Sequence, residues 1–265
     1  MTEPVRTQPA FVRHARASWA IAWRLLYKML RNPAFLLPSM LMPVFFFTAF
    51  AGGLVAVSNS PGFDYPSYTT FQYVFVLIQS AVFGGVFAGF SIAADFESGF
   101  ARRLMLATRG HSALVIGYTI SALARAMIVW GVVTVIALLA GAEVTGSGLD
   151  VTETLSVAML TNIAALLFSC GVAMRMRTMQ AAPLIQLPAF LLIFTAPVYV
   201  PRQLLEGWVA FAADFNPLTA VLEASREWII GGSPEALLAY GAALGLAALM
   251  AIWAITGLRR AERAV

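Results

Sequence analysis

The chain has 265 residues, 60% of them apolar and only 11% charged, with a mean hydropathy of +0.80. A water-soluble domain carries about 25% charged residues, so a water-facing surface is excluded and a polytopic α-helical membrane protein is expected. The net charge is +4, yet the cations stand at the ends of apolar runs rather than on one face, which points to a membrane surface and away from nucleic acid.

Several chemistries drop out early. The chain's one lysine, Lys28, has no glycine near it. A phosphate-binding loop needs Gly-rich backbone before Lys and Ser/Thr, so energy from ATP would have to come from another polypeptide. Cys170 lies alone in an apolar run, which leaves no internal disulfide. His14 and His111 are far from each other and from any cysteine, so no metal site is expected. No cleavable leader is expected either, because the first apolar run follows about thirty polar or amphipathic residues.

From Phe11 to Arg31, Val12, Ala15, Trp19, Ala22, Leu26 and Met29 repeat at helical spacing, and Arg13, Arg16, Arg24, Lys28 and Arg31 form a second stripe. This pattern predicts an amphipathic helix lying in the cytoplasmic interface, with Trp19 and Trp23 among the headgroups. It serves equally as a basic anchor or as a contact for a partner. Asn32-Pro33 then turns the chain into the membrane.

Six apolar segments of roughly the 20 residues needed for a span follow. They run from about Phe35 to Val57, Tyr68 to Ala94, Ala113 to Gly141, Thr154 to Met174, Ala182 to Tyr199 and Pro234 to Leu258. With the N-terminus in the cytoplasm, fourteen Lys and Arg fall inside and only Arg202 and Arg226 outside, and Arg125 lies within the third span. The positive-inside rule therefore places both termini in the cytoplasm. The expected organisation is a tail and interfacial helix at 1–34, a six-helix membrane domain at 35–258 and a cytoplasmic tail at 259–265. Within the membrane domain, 95–112 forms a cytoplasmic loop and 200–233 an outer segment.

The second span carries Gln79, Phe83 and Phe87, with Gly85 and Gly89 at the spacing of a close helix contact. The fifth carries Pro183, Pro188 and Pro197, with Gln186, Phe190, Phe194 and Thr195. Prolines free backbone carbonyls and let helices bend. These residues read as the lining of a pathway for a large amphiphile, or as ordinary helix packing. Arg125 is an intramembrane charge. It snorkels, pairs with Asp95 or Glu97, or contacts a substrate. The outer segment is expected to fold as two short amphipathic helices around Asn216-Pro217, with Trp208, Phe211, Phe215 and Trp228 at interfacial depth.

The loop from Ala94 to His111 mixes both charge signs, and Phe100 and Leu104 beside the charges suit insertion into a groove of a cytoplasmic protein. The same pattern suits a solvated connector. The loop, followed by Val115-Ile116-Gly117-Tyr118, resembles the signature region of ABC-2 type transporter permeases, most nearly those of the daunorubicin-resistance type. Glu97, Gly99, Arg103, Leu106 and Gly117 fit that pattern, whereas the family's Leu-Pro turn is replaced by Ala107-Thr108-Arg109-Gly110. Asn216-Pro217 resembles the family's Asn-Pro motif before the last span.

The resemblance implies an inner-membrane exporter subunit that is not itself an enzyme. It would work beside two ATP-binding subunits and a second permease, with ATP and Mg held by the partner. It implies that Asp95, Glu97, Gly99, Phe100, Arg102 and Arg103 couple the membrane domain to the ATPase, and that Trp208, Asn216 and Pro217 belong to a re-entrant lid. No residue would be catalytic. The cargo would be a hydrophobic drug or lipid, or alternatively a polysaccharide or glycolipid. An intramembrane enzyme needs paired His or carboxylates at depth, and an ion-coupled transporter needs midplane acids. The span centres contain no Asp or Glu.

Overall fold

The computed structural model describes residues 9–31, 33–107 and 112–263. Among these residues the chain is all helical, with ten α-helices and no strand. They are α1 (Ala10–Arg31), α2 (Pro33–Gly53), α3 (Tyr68–Glu97), α4 (Phe100–Ala107), α5 (Ser112–Leu139), α6 (Gly148–Met176), α7 (Ala182–Phe194), α8 (Gly207–Phe215), α9 (Pro217–Ile230) and α10 (Ala236–Glu262). Four of them, α3, α5, α6 and α10, are long and apolar enough to cross a membrane. Two further apolar helical stretches are shorter, Ser39–Gly53 in α2 and Met179–Phe194 through α7.

α3 is the axis of the bundle. Its most apolar stretch is 83% buried, against 17% for α10 at the periphery, and it packs against α2, α5, α6, α7 and α9. Its 30 residues span roughly 45 Å at 1.5 Å per residue. That exceeds a hydrocarbon core of about 30 Å, so its ends reach polar surroundings.

The small-residue spacing in α3 has the expected consequence. A Cβ on Gly85 would stand 2.4 Å from the Leu166 nitrogen, and one on Gly89 2.3 Å from the Ser169 Cβ. Only glycine lets α3 and α6 approach so closely, and lipid supplies no hydrophobic force to hold helices apart from such packing. Asn162 of α6 adds an interhelical hydrogen bond, donating to the Ala81 carbonyl at 2.8 Å.

Local chemistry sets several helix ends. Ser67 caps α3 by accepting from the Thr70 N–H at 3.1 Å. Ser147 and Asp150 form a capping box at α6. Two expected spans end early. The first stops at Gly53 rather than Val57, where Gly52-Gly53 weakens the helix. The fifth stops at Phe194 rather than Tyr199, because Pro197 has no N–H to donate and restricts Ala196 before it.

α1 forms as expected, but its inner face is rotated from the predicted stripe. Ser18, Ile21, Ala22 and Met29 are buried, whereas Val12, Trp19 and Trp23 face outward. Of that stripe only Ala22 and Met29 are buried. The cause is Gly117 on α5, where a Cβ would stand 2.7 Å from the Ile21 Cβ and 2.8 Å from the Ser18 carbonyl oxygen. The groove at Gly117 selects the face that docks.

Candidate functional site

At the Glu97 end of α3, one carboxylate gathers three neighbouring helices. Asp95 is buried. Arg24 of α1 donates to both of its oxygens, at 2.9 and 3.1 Å. The Tyr118 hydroxyl of α5 also donates to it. The Arg24 guanidinium lies 3.7 Å over the Phe100 ring of α4. A buried carboxylate is costly unless fully hydrogen-bonded, and here three donors meet it. The hydrogen bond to Asp95 raises the already high pKa of Arg24, outweighing the lowering effect of burial.

Glu97, two residues on along α3, has a different role. It is exposed, and its carboxylate accepts from the Met179 N–H at 2.7 Å. It thus satisfies the first N–H of the short 3-10 turn Met179–Ala181 that leads into α7, a turn capped by Thr178. Gly99, at φ +71°, occupies the left-handed region that glycine reaches without strain and breaks α3 from α4. Phe100 is half-buried beneath Arg24, and Leu104 packs on the core, so neither is free to insert into a partner as expected. The outward face of α4 instead presents Arg102, Arg103 and Leu106, the last 69% exposed. The turn with Arg109 and His111 lies outside the described residues.

Arg125 pairs with neither expected acid. One of its terminal nitrogens donates to the Gly84 carbonyl of α3 at 2.6 Å, and its buried Nε has no partner. An unmet buried donor costs about 1–3 kcal/mol. Arg125 lines a cavity of about 230 Å³ between α1, α3 and α5, whose other end is at Asp95 and Tyr118. A second cavity, of about 200 Å³, is apolar and lies among α3, α6, α7 and α10.

The aromatic residues expected along a pathway do meet. Phe83 of α3 contacts Phe190 of α7 edge-on at 5.0 Å, and Phe190 stacks on Phe194 at 5.6 Å. Phe46 of α2 joins Phe194 at 5.5 Å. Phe87 lines the cavity at Arg125. Gln186 is half-buried on α7. Gln79 is buried in α3, and both of its amide atoms are unpaired.

At the Tyr68 end of α3, side chains secure the irregular stretch after α7. Ala196, Pro197 and Val198 are buried, so their backbone groups need partners. Arg226 of α9 donates to the Pro197 carbonyl at 2.8 Å, Gln72 to that of Val198 at 2.9 Å, and Tyr68 to that of Tyr199 at 2.8 Å. Asn216 donates to the Leu192 carbonyl at 2.6 Å and to the Thr195 hydroxyl at 3.0 Å, and accepts from the Leu218 N–H at 2.9 Å. It therefore caps α9 and fastens it to the end of α7, with Pro217 at the first helical position.

Arg226 is 1% exposed and lies 3.5 Å over the Phe71 ring. In the sequence it reads only as an outer charge. Its place on the helix after Asn216-Pro217 was the available signal. Trp208, Phe211 and Phe215 are exposed on α8. Trp228 is not with them: it is 3% exposed and packs against Tyr240 of α10. Arg202 bridges Asp214 at 2.7 Å and Glu223 at 3.4 Å. Among the described residues no group of three or more His, Cys, Asp and Glu is placed to hold a metal.

Residues 16–230 match the ABC-2 type transporter family. The chain is also 25% identical over 230 residues to the daunorubicin resistance ABC transporter permease protein DrrB1 of Streptomyces coeruleorubidus, an overlap of 84% of this chain and 78% of that protein. The match takes in α1 from Arg16, the Asp95 cluster, the aromatic contacts and the Asn216-Pro217 junction. A bundle of apolar helices so matched is a transport subunit and not the ATPase: the chain belongs to the ABC-2 type transporter family.

Proposed function

We propose that this chain is the membrane-spanning permease of an exporter that moves a hydrophobic drug-like or lipid-like molecule outward, driven by ATP hydrolysed on a separate subunit. The observation that carries the reading is the family match together with the likeness to a daunorubicin resistance permease. In this reading α2 and α7 complete six spans with α3, α5, α6 and α10. The outer segment 200–233, with α8 and α9, is a re-entrant lid facing outward, and both termini are cytoplasmic. Buried irregular backbone of the kind seen at 195–199 is tolerated at membrane depth only where protein satisfies it. Exposed Trp19 and Trp23 on α1 suit the headgroup region.

Two copies, or one copy and a related permease, pair with two ATP-binding subunits. The outward face of α4 contacts the ATPase. Motion passes from α4 through Phe100 and Arg24 to α1, and through Asp95 and Glu97 to α3 and α7. The test is ATP-driven efflux from vesicles containing the reconstituted complex. Glu97→Lys removes the acceptor for the Met179 N–H and is expected to lower efflux about tenfold or more, with normal membrane insertion. Undiminished efflux by that variant would sink the coupling role of Glu97. A chain that moves cargo down an ion gradient with no ATPase bound would sink the exporter itself.

A further inference from the structure

The cavity between α1, α3 and α5 is charged asymmetrically. Its one carboxylate, Asp95, is already held by both donors of Arg24 and by Tyr118. Arg125 also lines it, with its buried Nε–H unmatched, and Lys28 of α1 contributes a second cation to the wall. The remaining lining is mostly apolar, with Phe87 and Phe90 along α3, and Ser121 of α5 also lines it. A guanidinium that holds one backbone carbonyl and no carboxylate, among mostly apolar walls, favours an anion over a neutral guest, because a neutral guest leaves its charge uncompensated.

Size narrows the class further. At about 230 Å³ the cavity is smaller than the roughly 300–1,000 Å³ of sites that enclose a whole drug-sized ligand. It accommodates a headgroup and the first carbons of a stem whose remainder lies in the bilayer. α1 forms one wall, and an amphipathic helix of this kind lies at the depth of the headgroups.

We propose that this cavity is a binding site for an anionic amphiphile, with a phosphate or carboxylate headgroup on Arg125 and an apolar stem along Phe87 and Phe90. The guanidinium suits either oxyanion because it presents several donors in one plane. Binding here does not require the export reading and is measured without ATP or an ATPase.

The full chain is placed in nanodiscs of mixed phosphatidylglycerol and phosphatidylcholine, and the lipids it retains on mild extraction are identified by native mass spectrometry. The wild type is expected to retain phosphatidylglycerol about tenfold over phosphatidylcholine, an energy difference of about 1.4 kcal/mol. Arg125→Gln abolishes the preference, and Arg125→Lys keeps part of it. Ser121→Leu fills the cavity without touching a charge and abolishes retention even if Arg125→Gln fails to fold. Equal retention of the two lipids, or a preference that survives Ser121→Leu, overturns the site. Displacement by inorganic phosphate alone overturns the requirement for an apolar stem. With the ATPase added, ATP-driven movement of labelled phosphatidylglycerol identifies the bound lipid as cargo, and static occupancy identifies it as a resident lipid. Either supports the site.

Discussion

At the Glu97 end of α3, a carboxylate is met by a cation from α1 and a hydroxyl from α5. At the Tyr68 end, Tyr68 and Gln72 reach for backbone carbonyls of the stretch after α7, joined there by Arg226 from α9. The first junction links side chains of separate helices, and the Arg24 side chain is 36% exposed. Water competes for the Arg24 side of the pair and weakens it. The second junction satisfies non-helical backbone where water is scarce. Each donor removed there leaves a carbonyl unmet. One end is a side-chain joint partly open to water, the other a brace on buried backbone.

The largest effect is expected at the brace. Arg226→Leu removes the donor to the Pro197 carbonyl and the cation over Phe71, and is expected to destabilise the protein by about 3 kcal/mol. Denaturation in detergent measures it, and an unchanged midpoint would mean that the outer junction bears no load. A smaller effect is expected at the joint. A double-mutant cycle on Arg24→Ala and Asp95→Ala is expected to give a coupling energy of about 1 kcal/mol, discounted for the exposure of Arg24 and falling with added salt. A coupling as large as the loss at Arg226 would erase the distinction between the two ends.

The smallest effect concerns Glu223, beside the brace. Burial raises its pKa above the ordinary 4.5, with Arg202 acting in the opposite direction. The folded state therefore binds this proton more tightly than the unfolded state does. The resulting stabilisation is present in acid and is lost as pH rises through the raised pKa. Glu223→Gln is expected to raise the melting temperature slightly at pH 7, with the gain disappearing below the ordinary carboxylate range. A gain that persists unchanged in acid would show that the effect has another source.

How far the site was legible varied with the range of the interaction. Gly85 and Gly89 announced a close helix contact because four-residue spacing places both on one face, and any partner helix must fit that face. Asn216-Pro217 announced a helix start because capping is local. Arg125 was recognised as an unusual charge, but its partner was not. The available acids, Asp95 and Glu97, are taken by Arg24 and by the Met179 N–H, and those bonds join residues 71 and 82 positions apart. Arg24 itself looked like one more cation on a solvated stripe. It turns inward because Gly117 chooses which face of α1 docks.

Composition and the spacing of apolar runs were enough to place this chain in a membrane, to assign helices and to predict an amphipathic helix before them. Those properties depend on solvent transfer and on periodicities of a few residues, which a linear string displays directly. Which face of α1 is buried, which carboxylate holds Arg24 and why Arg226 is the buried cation depended on packing. Each of those outcomes is a competition among several chemically equivalent groups. The competition is decided by which backbones can approach, and that distance exists only once the helices are assembled.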